Sequence, residues 1–277
     1  MKNKNIAITG YRGVIGKKFI KKFKNNKFKV CKIDITKRKE VFKWVKNSKF
    51  EIFIHLAALL EEKNDNSDSN KALNVNYNGT KNIVDAINKY KKNSNIWFFF
   101  SSSSHVYSYS KKKINEKSLV RPINNYGKTK LLAEKYLIQK LKSKRLKLCI
   151  GRIFSIADKN QKKEYFIPYI YSKIKNKTDL IFKGLNKKRD FIHVDDILNA
   201  INYLYIKKRV GIYNIGSGKP LFLKNIVKKI CKSKNFQHKL HFSENRRKGD
   251  LICDNRKLKS IGWKLKNSFD EILHQFN

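Results

Sequence analysis

Five short apolar segments alternate with helical segments along the first half of the chain, and this alternation constrains the fold more than any other feature. Each apolar segment has the length of a strand, and hydrophobic residues at helical spacing separate it from the next. The predicted strands are residues 6–10, 28–33, 52–58, 96–100 and 146–153. Because strands that alternate with helices form a parallel sheet covered on both faces, the sequence predicts a Rossmann-like, doubly wound α/β fold.

A glycine-rich turn joins the first predicted strand to the first helix. It contains Gly10, Gly13 and Gly16, in the spacing Gly-x-x-Gly-x-x-Gly rather than the Gly-x-Gly-x-x-Gly of other dinucleotide folds. Glycines let the backbone turn tightly and approach a pyrophosphate, which then lies at the N-terminal end of the helix. The strand before the turn and the helix after it favour cofactor binding over a plain turn.

Several polar or small residues fall at the carboxyl ends of predicted strands, where the ligands of doubly wound sheets bind. These residues are Gly10, Ala57, Ser103 and Arg152. Asp34 ends the second strand and follows the last glycine at close to the ~20 residues expected for an acid that hydrogen-bonds the adenosine ribose. The sequence therefore predicts a dinucleotide site at this edge of the sheet.

The strand–helix alternation loosens after Phe154, which indicates a second part of the chain. We expect residues 1–154, with roughly 190–218 returning to them, to form the dinucleotide-binding domain. Residues 155–189 and 219–277 are expected to form a smaller, interleaved α/β substrate lobe. The last helix carries the capping-box pattern of Ser268 and Glu271.

Tyr126 and Lys130 stand four positions apart on a helix predicted to start near Pro122, so they share one face. A tyrosine titrates near ~10 and is a poor base at neutral pH unless a neighbouring cation favours the phenolate. Beside a nicotinamide, Tyr126 could exchange a proton with a substrate hydroxyl while hydride moves between the substrate carbon and the ring. In a lysine-rich chain the same pair could also be a solvated helix face.

The chain carries 65 Lys and Arg against 21 Asp and Glu, a net charge of +44 that raises the question of a nucleic-acid or anionic-membrane partner. The lysines are scattered, with no basic tail and no aromatic-basic recognition motif, so we interpret them as solvated faces and expect no nucleic acid partner. The 40% hydrophobic content predicts a globular protein.

The cysteines form no Cys-x-x-Cys pair, which predicts buried free thiols and no metal site. No apolar run reaches the ~18 residues of a membrane span, and no apolar signal core follows Met1. A cytoplasmic protein is expected.

The order of motifs resembles the extended short-chain dehydrogenases, the NAD-dependent epimerase/dehydratase family of nucleotide-sugar epimerases, reductases and dehydratases. The matching motifs are Thr9-Gly-Tyr-Arg-Gly-Val-Ile-Gly16, His55-Leu-Ala-Ala58, Val75-Asn76 with Gly79-Thr80, Ser101-Ser-Ser103 with Val106-Tyr107, Tyr126-Gly-Lys-Thr-Lys130, Arg189-Asp-Phe-Ile-His-Val-Asp-Asp196, Tyr213-Asn-Ile-Gly216 and Arg247-Lys-Gly-Asp250. They run in order over nearly the whole chain and are specific as a set.

The resemblance implies a role for each matching position. Tyr126 would be the acid–base, Lys130 would bind the nicotinamide ribose and lower the tyrosine pKa, and Ser103 would hydrogen-bond the reacting oxygen. Ala57 and Asn76 would line the cofactor and the floor of the active site.

The same resemblance implies where the substrate binds. Arg189 and Arg247 correspond to family arginines near the sugar-nucleotide diphosphate, which a guanidinium can bind through two oxygens. Ser155 stands where many relatives have an asparagine that contacts the diphosphate. For each arginine alone, a surface position is about as plausible in so basic a chain.

Departures from the family pattern narrow the expected activity. Related 4,6-dehydratases carry Asp-Glu after the catalytic Ser or Thr, whereas this chain has Ser104 and His105, so elimination of water lacks its acid and base. His105 occupies the place of an acid–base cysteine in enzymes like GDP-fucose synthase. It is either a hydrogen-bonded histidine or a proton shuttle beside C3 or C5 of a 4-keto sugar.

The cofactor is left as NAD or NADP. By resemblance to reductases of 4-keto sugars, Asp34 and Ile35 could clamp the adenine rather than the ribose. The acid that usually ends strand two would then be absent, leaving Arg12 and Lys32 to meet a 2′-phosphate.

Together these features predict an NAD(P)-dependent oxidoreductase acting at C4 of a nucleotide-linked hexose, as a 4-keto-sugar reductase or reductase/epimerase. The alternatives are a nucleotide-sugar 4-epimerase with tightly bound NAD and a non-catalytic dinucleotide-binding module. A homodimer through helices near residues 73–90 and 126–141 is implied by the resemblance.

Overall fold

The computed structural model describes residues 1–60, 66–141, 146–243 and 249–276. The chain divides into two compact units. The first comprises Met1–Ser108, Ser118–Ile153 and Leu198–Tyr213, and the second comprises Tyr109–Lys117, Phe154–Ile197 and Asn214–Asn277.

The bounds of the units differ from the expected domain bounds in short segments, because these segments hydrogen-bond within the second unit. Ser110 N donates to Asp250 O and Ile114 N to Ile252 O, which ties residues 109–117 to this unit. The Asp190 carboxylate accepts from Ser217 N, which ties the start of the expected returning segment to it as well. The cofactor and substrate roles given to the two parts stay predictions.

The helices and strands follow the predicted alternation. The strands among the described residues are β1 (Asn5–Thr9), β2 (Lys27–Val30), β3 (Ile52–His55), β4 (Ile96–Ser103), β5 (Leu146–Ile153), β6 (Ser155–Ile156), β7 (Leu180–Lys183), β8 (Lys188–Arg189), β9 (Phe191–Ile192), β10 (Gly211–Ile215), β11 (Leu221–Phe222) and β12 (Leu240–Ser243). The α-helices are α1 (Val14–Lys22), α2 (Arg38–Asn47), α3 (Asn66–Leu73), α4 (Thr80–Tyr90), α5 (Asn125–Lys140), α6 (Phe166–Lys175), α7 (Val194–Ile206), α8 (Leu223–Ser233), α9 (Arg256–Lys259) and α10 (Phe269–His274). A π-helical turn, Asn74–Gly79, joins α3 to α4.

Six strands form the central sheet in the order β10-β5-β4-β3-β1-β2. The pairs β1–β2, β1–β3, β3–β4 and β4–β5 are parallel. The predicted doubly wound α/β fold is therefore confirmed.

The middle of the sheet is held by apolar side chains on both faces. Every residue of β3 is buried, and Phe53 stacks on its neighbour Phe98 of β4 with ring centroids 4.9 Å apart. Each fully buried phenylalanine contributes ~2–3 kcal/mol relative to an exposed one. This apolar core holds β3 and β4 together.

The second strand is shorter than predicted, because it lies at the edge of the sheet and pairs with β1 alone. It ends at Val30, and only Cys31 N continues the ladder, donating to Ile8 O at 2.9 Å. The prediction that this strand reaches Ile33 and ends at Asp34 is therefore wrong.

Helix α5 also starts later than predicted. Asn124 accepts a hydrogen bond from Gly127 N at 2.8 Å and caps the helix, so Pro122 precedes the helix instead of opening it.

The second unit contains two-stranded pairs, β11–β8, β12–β7 and β6–β9. Its core contains apolar residues of α6, α8 and α10. The predicted capping box at α10 is confirmed, with Glu271 N donating to Ser268 Oγ at 3.2 Å.

All four cysteines are free and buried, as predicted. Within the described parts of the chain, none of the helices combines the length and the hydropathy that crossing a bilayer requires.

Candidate active site

The glycine turn after β1 is compact enough that side chains would not fit. Gly10 has φ +70°, and a Cβ there would lie 2.5 Å from Ala57 N. A Cβ on Gly16 would overlap Gly10 O. Gly13 caps α1 without a side-chain acceptor, so the first-turn N–H groups of the helix are suited to phosphate oxygens. The turn therefore fits the pyrophosphate of a dinucleotide.

Buried hydrogen bonds fix the ends of β1 and β3 beside this turn. His55 Nδ1 lies 2.6 Å from Thr9 Oγ1, and His55 Nε2 lies 2.9 Å from Thr80 Oγ1. Thr80 donates its own hydroxyl hydrogen to Asn76 O, so His55 Nε2 is the donor to Thr80. Burial lowers the pKa of His55 to about 3, with a smaller effect from the charge of Lys130, and the ring stays neutral. The sequence predictions gave no role to Thr9, His55 or Thr80.

Asn76 connects the segment after β3 to helix α5. Its Oδ1 accepts from Leu59 N at 2.8 Å, and its Nδ2 donates to Leu59 O at 2.9 Å and to Thr129 Oγ1 at 3.0 Å. It lies in the π-helical turn Asn74–Gly79, a distortion often found at functional sites. Asn76 therefore positions the backbone near Ala57, and direct contact with a cofactor stays a prediction.

Tyr126 lies in the first turn of α5, which packs directly against the end of β4. A Cβ on Gly127 would overlap His105 O, so only glycine permits this approach. Tyr126 is half-buried, and its ring meets the ring of His105 edge-on with centroids 6.0 Å apart. The packing brings the predicted acid–base residue to the predicted catalytic end of β4.

Lys130 is 1% exposed, although a lysine on a solvated helix face would be open to water. Its Nζ lies 4.3 Å from the centre of the Phe100 ring. Burial lowers the pKa of Lys130 to about 7, while the charge of Glu134 raises it. The solvated-face alternative is therefore wrong for Lys130, and its ammonium titrates near neutral pH.

Ser103 and His105 form a hydrogen-bonded turn at the end of β4. His105 N donates to Ser103 Oγ at 3.2 Å, and the serine hydroxyl hydrogen can still donate to a ligand. Asn124 Nδ2 lies 3.1 Å from His105 Nδ1. Because Asn124 Oδ1 accepts from Gly127 N, the amide orientation is fixed and His105 Nδ1 is the acceptor. We assign neutral His105 the tautomer with hydrogen on Nε2.

The residues predicted to contact the adenosine half lie beyond β2. Asp34 is exposed, and its Oδ1 accepts from Thr36 N at 2.9 Å in a local turn. Ile35 is buried, and its carbonyl accepts from Asn82 Nδ2 at 3.0 Å. Arg12 and Lys32 are exposed, and Arg12 Nε donates to Tyr11 OH at 2.9 Å.

Two of the predicted substrate residues, Arg189 and Ser155, belong to the second unit. Arg189 donates from Nη1 to Lys188 O at 2.8 Å and to Gly249 O at 3.2 Å, and its guanidinium lies 5.3 Å from the Tyr109 ring centre. Burial lowers the pKa of Arg189. Ser155 N donates to Asp190 O at 3.0 Å. Arg247 lies outside the described residues.

Comparison with known proteins gives a family and a fold. A family model described as "NAD dependent epimerase/dehydratase family" matches residues 6–216. The curated dTDP-4-dehydro-6-deoxyglucose reductase of Escherichia coli is 26% identical over 297 residues, which cover 94% of this chain and 92% of the relative.

Two solved structures share the fold over almost the whole chain. RMD from Pseudomonas aeruginosa complexed with NADPH superposes with a TM-score of 0.87 at 20% identity, covering 99% of each chain. The Thermus thermophilus UDP-glucose 4-epimerase in complex with NAD superposes with a TM-score of 0.87 at 18% identity, covering 98% of each chain.

Proposed function

Because the chain belongs to the NAD dependent epimerase/dehydratase family, we propose that it is an NAD(P)-dependent oxidoreductase that acts at C4 of a nucleotide-linked hexose. It works as a 4-keto-sugar reductase or as a reductase/epimerase. The observation that carries the proposal is the buried Lys130 one helical turn after the half-buried Tyr126, at the end of β4. The E. coli relative, named a dTDP-4-dehydro-6-deoxyglucose reductase, supports the reductase assignment.

The proposed reduction gives a role to Ser103 at the end of β4 and to Tyr126 and Lys130 of α5. When bound, NAD(P)H supplies a hydride to the C4 ketone. Ser103 donates a hydrogen bond to the ketone oxygen and polarises it, and Tyr126 gives that oxygen a proton as it becomes an alkoxide. Protonated Lys130 binds the nicotinamide ribose and favours the tyrosinate that remains.

The residues after Ser103 argue against dehydration as the activity. Ser104 is 3% exposed and has no carboxylate, and His105 uses Nδ1 to accept from Asn124. An elimination across C5 and C6 needs an acid and a base at these places. His105 instead holds the first turn of α5 in position, and its role as a proton shuttle stays open to test by His105→Gln.

Arg189, Arg247 and Ser155 are proposed to bind the diphosphate of the substrate. Arg189 uses Nη1 for backbone carbonyls, and its other nitrogens include donors suited to phosphate oxygens. The homodimer implied by the resemblance also stays a prediction.

A nucleotide-sugar 4-epimerase with tightly bound NAD is the second candidate, because the T. thermophilus epimerase superposes over 98% of this chain. The same tyrosine and lysine would serve it, since hydride removal and return at C4 need the same acid–base group. An epimerase turns over without consuming cofactor, whereas a reductase oxidises one NAD(P)H per sugar.

The proposal is tested by incubating the protein with UDP-, dTDP-, GDP- and CDP-hexoses and their 4-keto forms, with NADH or NADPH. Absorbance of the reduced cofactor and NMR of the sugar ring are followed, and the Tyr126→Phe variant is the matched control. We expect one nucleotide 4-keto sugar to oxidise the cofactor with the wild type alone. Cofactor binding without turnover of any sugar, unchanged in the variant, would instead indicate a dinucleotide-binding module.

A further inference from the structure

A buried ion pair lies on the same helix face as the proposed catalytic residues. Glu134 follows Lys130 by one turn and Tyr126 by two turns on α5, so all three lie along one face. Arg152 donates from Nη2 to Glu134 Oε2 at 2.6 Å and from Nε to Oε1 at 3.0 Å. The Glu134 side chain is 1% exposed and that of Arg152 is 4% exposed.

The Glu134 carboxylate is also fixed from the central sheet. Ser102 Oγ donates to Glu134 Oε1, and Ser102 is the register partner of Arg152 in the β4–β5 ladder. The Arg152 guanidinium lies 4.7 Å from the centre of the Tyr107 ring. Strands β4 and β5 therefore hold the Glu134 carboxylate in one place. Lys130 precedes Glu134 by one helical turn on α5.

Within the described residues, Glu134 is the carboxylate that acts on the charge of Lys130. Arg152 of β5 is paired with that same carboxylate. His55 of β3 also interacts with Lys130, but it stays neutral because burial lowers its pKa to about 3. Phe100 of β4 supplies a ring face 4.3 Å from Nζ. Burial favours the neutral amine, and the carboxylate of Glu134 opposes it.

We propose that Glu134 is a positioning residue for the proposed reaction: held by Arg152 and Ser102, its carboxylate keeps Lys130 protonated and able to bind the cofactor ribose. It touches neither cofactor nor substrate and acts through Lys130. This inference rests on the proposed function, because it needs Lys130 to bind a dinucleotide.

The two partners of the ion pair make opposite predictions for one measurement, the pH at which NAD(P)H affinity is half lost as pH rises. Glu134→Gln removes the negative charge beside Lys130, so the midpoint should fall by about one pH unit or more. Arg152→Gln removes a competing positive charge and leaves the carboxylate, so the midpoint should rise. If the Glu134–Arg152 pair served folding alone, both variants would have a lower melting temperature. Their pH midpoints for NAD(P)H affinity would then not differ from each other.

The experiment is a fluorescence titration of wild type and variants with NADH and NADPH between pH 5 and pH 10. Because breaking a buried ion pair can unfold the protein, the double variant Glu134→Leu/Arg152→Met removes both charges with apolar side chains of similar volume and is expected to fold. Its midpoint should also fall, since Glu134 is the charge that raises the pKa of Lys130. Asp85→Asn is the matched control, because the Asp85 carboxylate contacts Arg38 and Tyr136 instead of Lys130.

Each outcome bears on the inference. Midpoints that move down for the folded Glu134 variants and stay unchanged for Asp85→Asn support it. A double variant that folds and keeps the wild-type midpoint overturns it, whatever the single variants do. If wild type binds neither NADH nor NADPH, it is the proposed function that fails, and the inference fails with it.

Discussion

The two units bury a carboxylate in different ways. Glu134 in the first unit is paired with the guanidinium of Arg152 and lies one turn from another buried cation, Lys130. Asp190 in the second unit accepts from three backbone N–H groups and a hydroxyl, those of Ser217 N, Ser217 Oγ, Gly218 N and Cys253 N. Burial raises the pKa of Asp190 to about 6, although these donors lower it.

This difference indicates a structural role for the Asp190 carboxylate and a functional role for the Glu134 carboxylate. The donors of Asp190 come from two loops of the second unit, so the carboxylate holds those loops together and has no acceptor capacity aimed elsewhere. The Glu134 pair instead lies beside a lysine whose burial is incompletely compensated. A buried charged group such as Lys130, which lowers the stability of the fold, is typical of a functional site.

The largest effect is expected for Tyr126→Phe in the first unit. Removing the hydroxyl should lower kcat by about 10²–10⁴-fold, the usual contribution of a positioned acid–base group. Cofactor affinity and melting temperature should stay near wild type. The measurement is steady-state oxidation of NAD(P)H with the substrate found in the sugar screen, and wild-type kcat in the variant would remove Tyr126 from the mechanism.

A comparable loss, in stability rather than activity, is expected for Asp190→Ala in the second unit. The change leaves three buried donors and the partly buried N–H of Gly218 without their acceptor. It should cost on the order of 3–5 kcal/mol of unfolding free energy. Urea denaturation measures it. Asp270→Ala is the control, because the Asp270 carboxylate pairs with Lys229 at the surface and should change stability by less than about 1 kcal/mol. Equal losses in both variants would contradict the role given to Asp190.

Lys130→Met should stabilise the protein without cofactor while abolishing cofactor binding. The pKa of Lys130 is about 7 in the folded chain against 10.5 for the ordinary lysine, so the unfolded state binds more protons between these pH values. The penalty of burying the ammonium is full below pH 7 and disappears as pH rises towards 10.5. The gain should be on the order of 3 kcal/mol at pH 6.

Denaturation of the Lys130→Met variant at pH 6 and pH 10 checks this prediction. The difference from wild type should shrink at the higher pH. A variant that is less stable than wild type at pH 6 would show that the fold needs this lysine, and the contrast with Asp190 would be lost.

The smallest effect is expected for the exposed charge of Arg12. If the cofactor is NADP, Arg12→Ala should weaken NADPH binding by about tenfold and leave NADH binding unchanged, since only NADPH carries the 2′-phosphate. Lys18→Ala, on the same helix region but outside the turn, is the control. Equal losses for both cofactors would exclude this role.

Much of the sheet could be predicted from the sequence, because its strands are locally encoded. Strand β5 has the predicted bounds of Leu146–Ile153, and β1 and β4 lie within a few residues of theirs. Strand β2 ends early because its position at the sheet edge leaves Ile33 without a partner strand, a property of topology that local hydrophobicity does not contain.

The candidate site was predictable as a set of residues but not as a set of contacts. Tyr126 and Lys130 are four positions apart, so their shared face follows from helical spacing. The bonds of Asn76 to Leu59 and Thr129 join residues 17 and 53 positions apart, and the π-helical turn that contains Asn76 has no local sequence signal. Glu134 is part of the same segment, but its contacts with Arg152 and Ser102 join residues 18 and 32 positions apart, which local sequence does not reveal.

Transfer of deuterium from labelled cofactor to the sugar tests the central claim most directly. The protein is given NADH or NADPH deuterated at the reactive carbon of the nicotinamide, together with a nucleotide-linked 4-keto hexose, and the product is examined by NMR and mass spectrometry. The account predicts one deuterium at C4 for each cofactor oxidised, and transfer that is about 10²–10⁴-fold slower with Tyr126→Phe. A sugar that reacts without acquiring deuterium at C4, or deuterium found at another carbon, would contradict it.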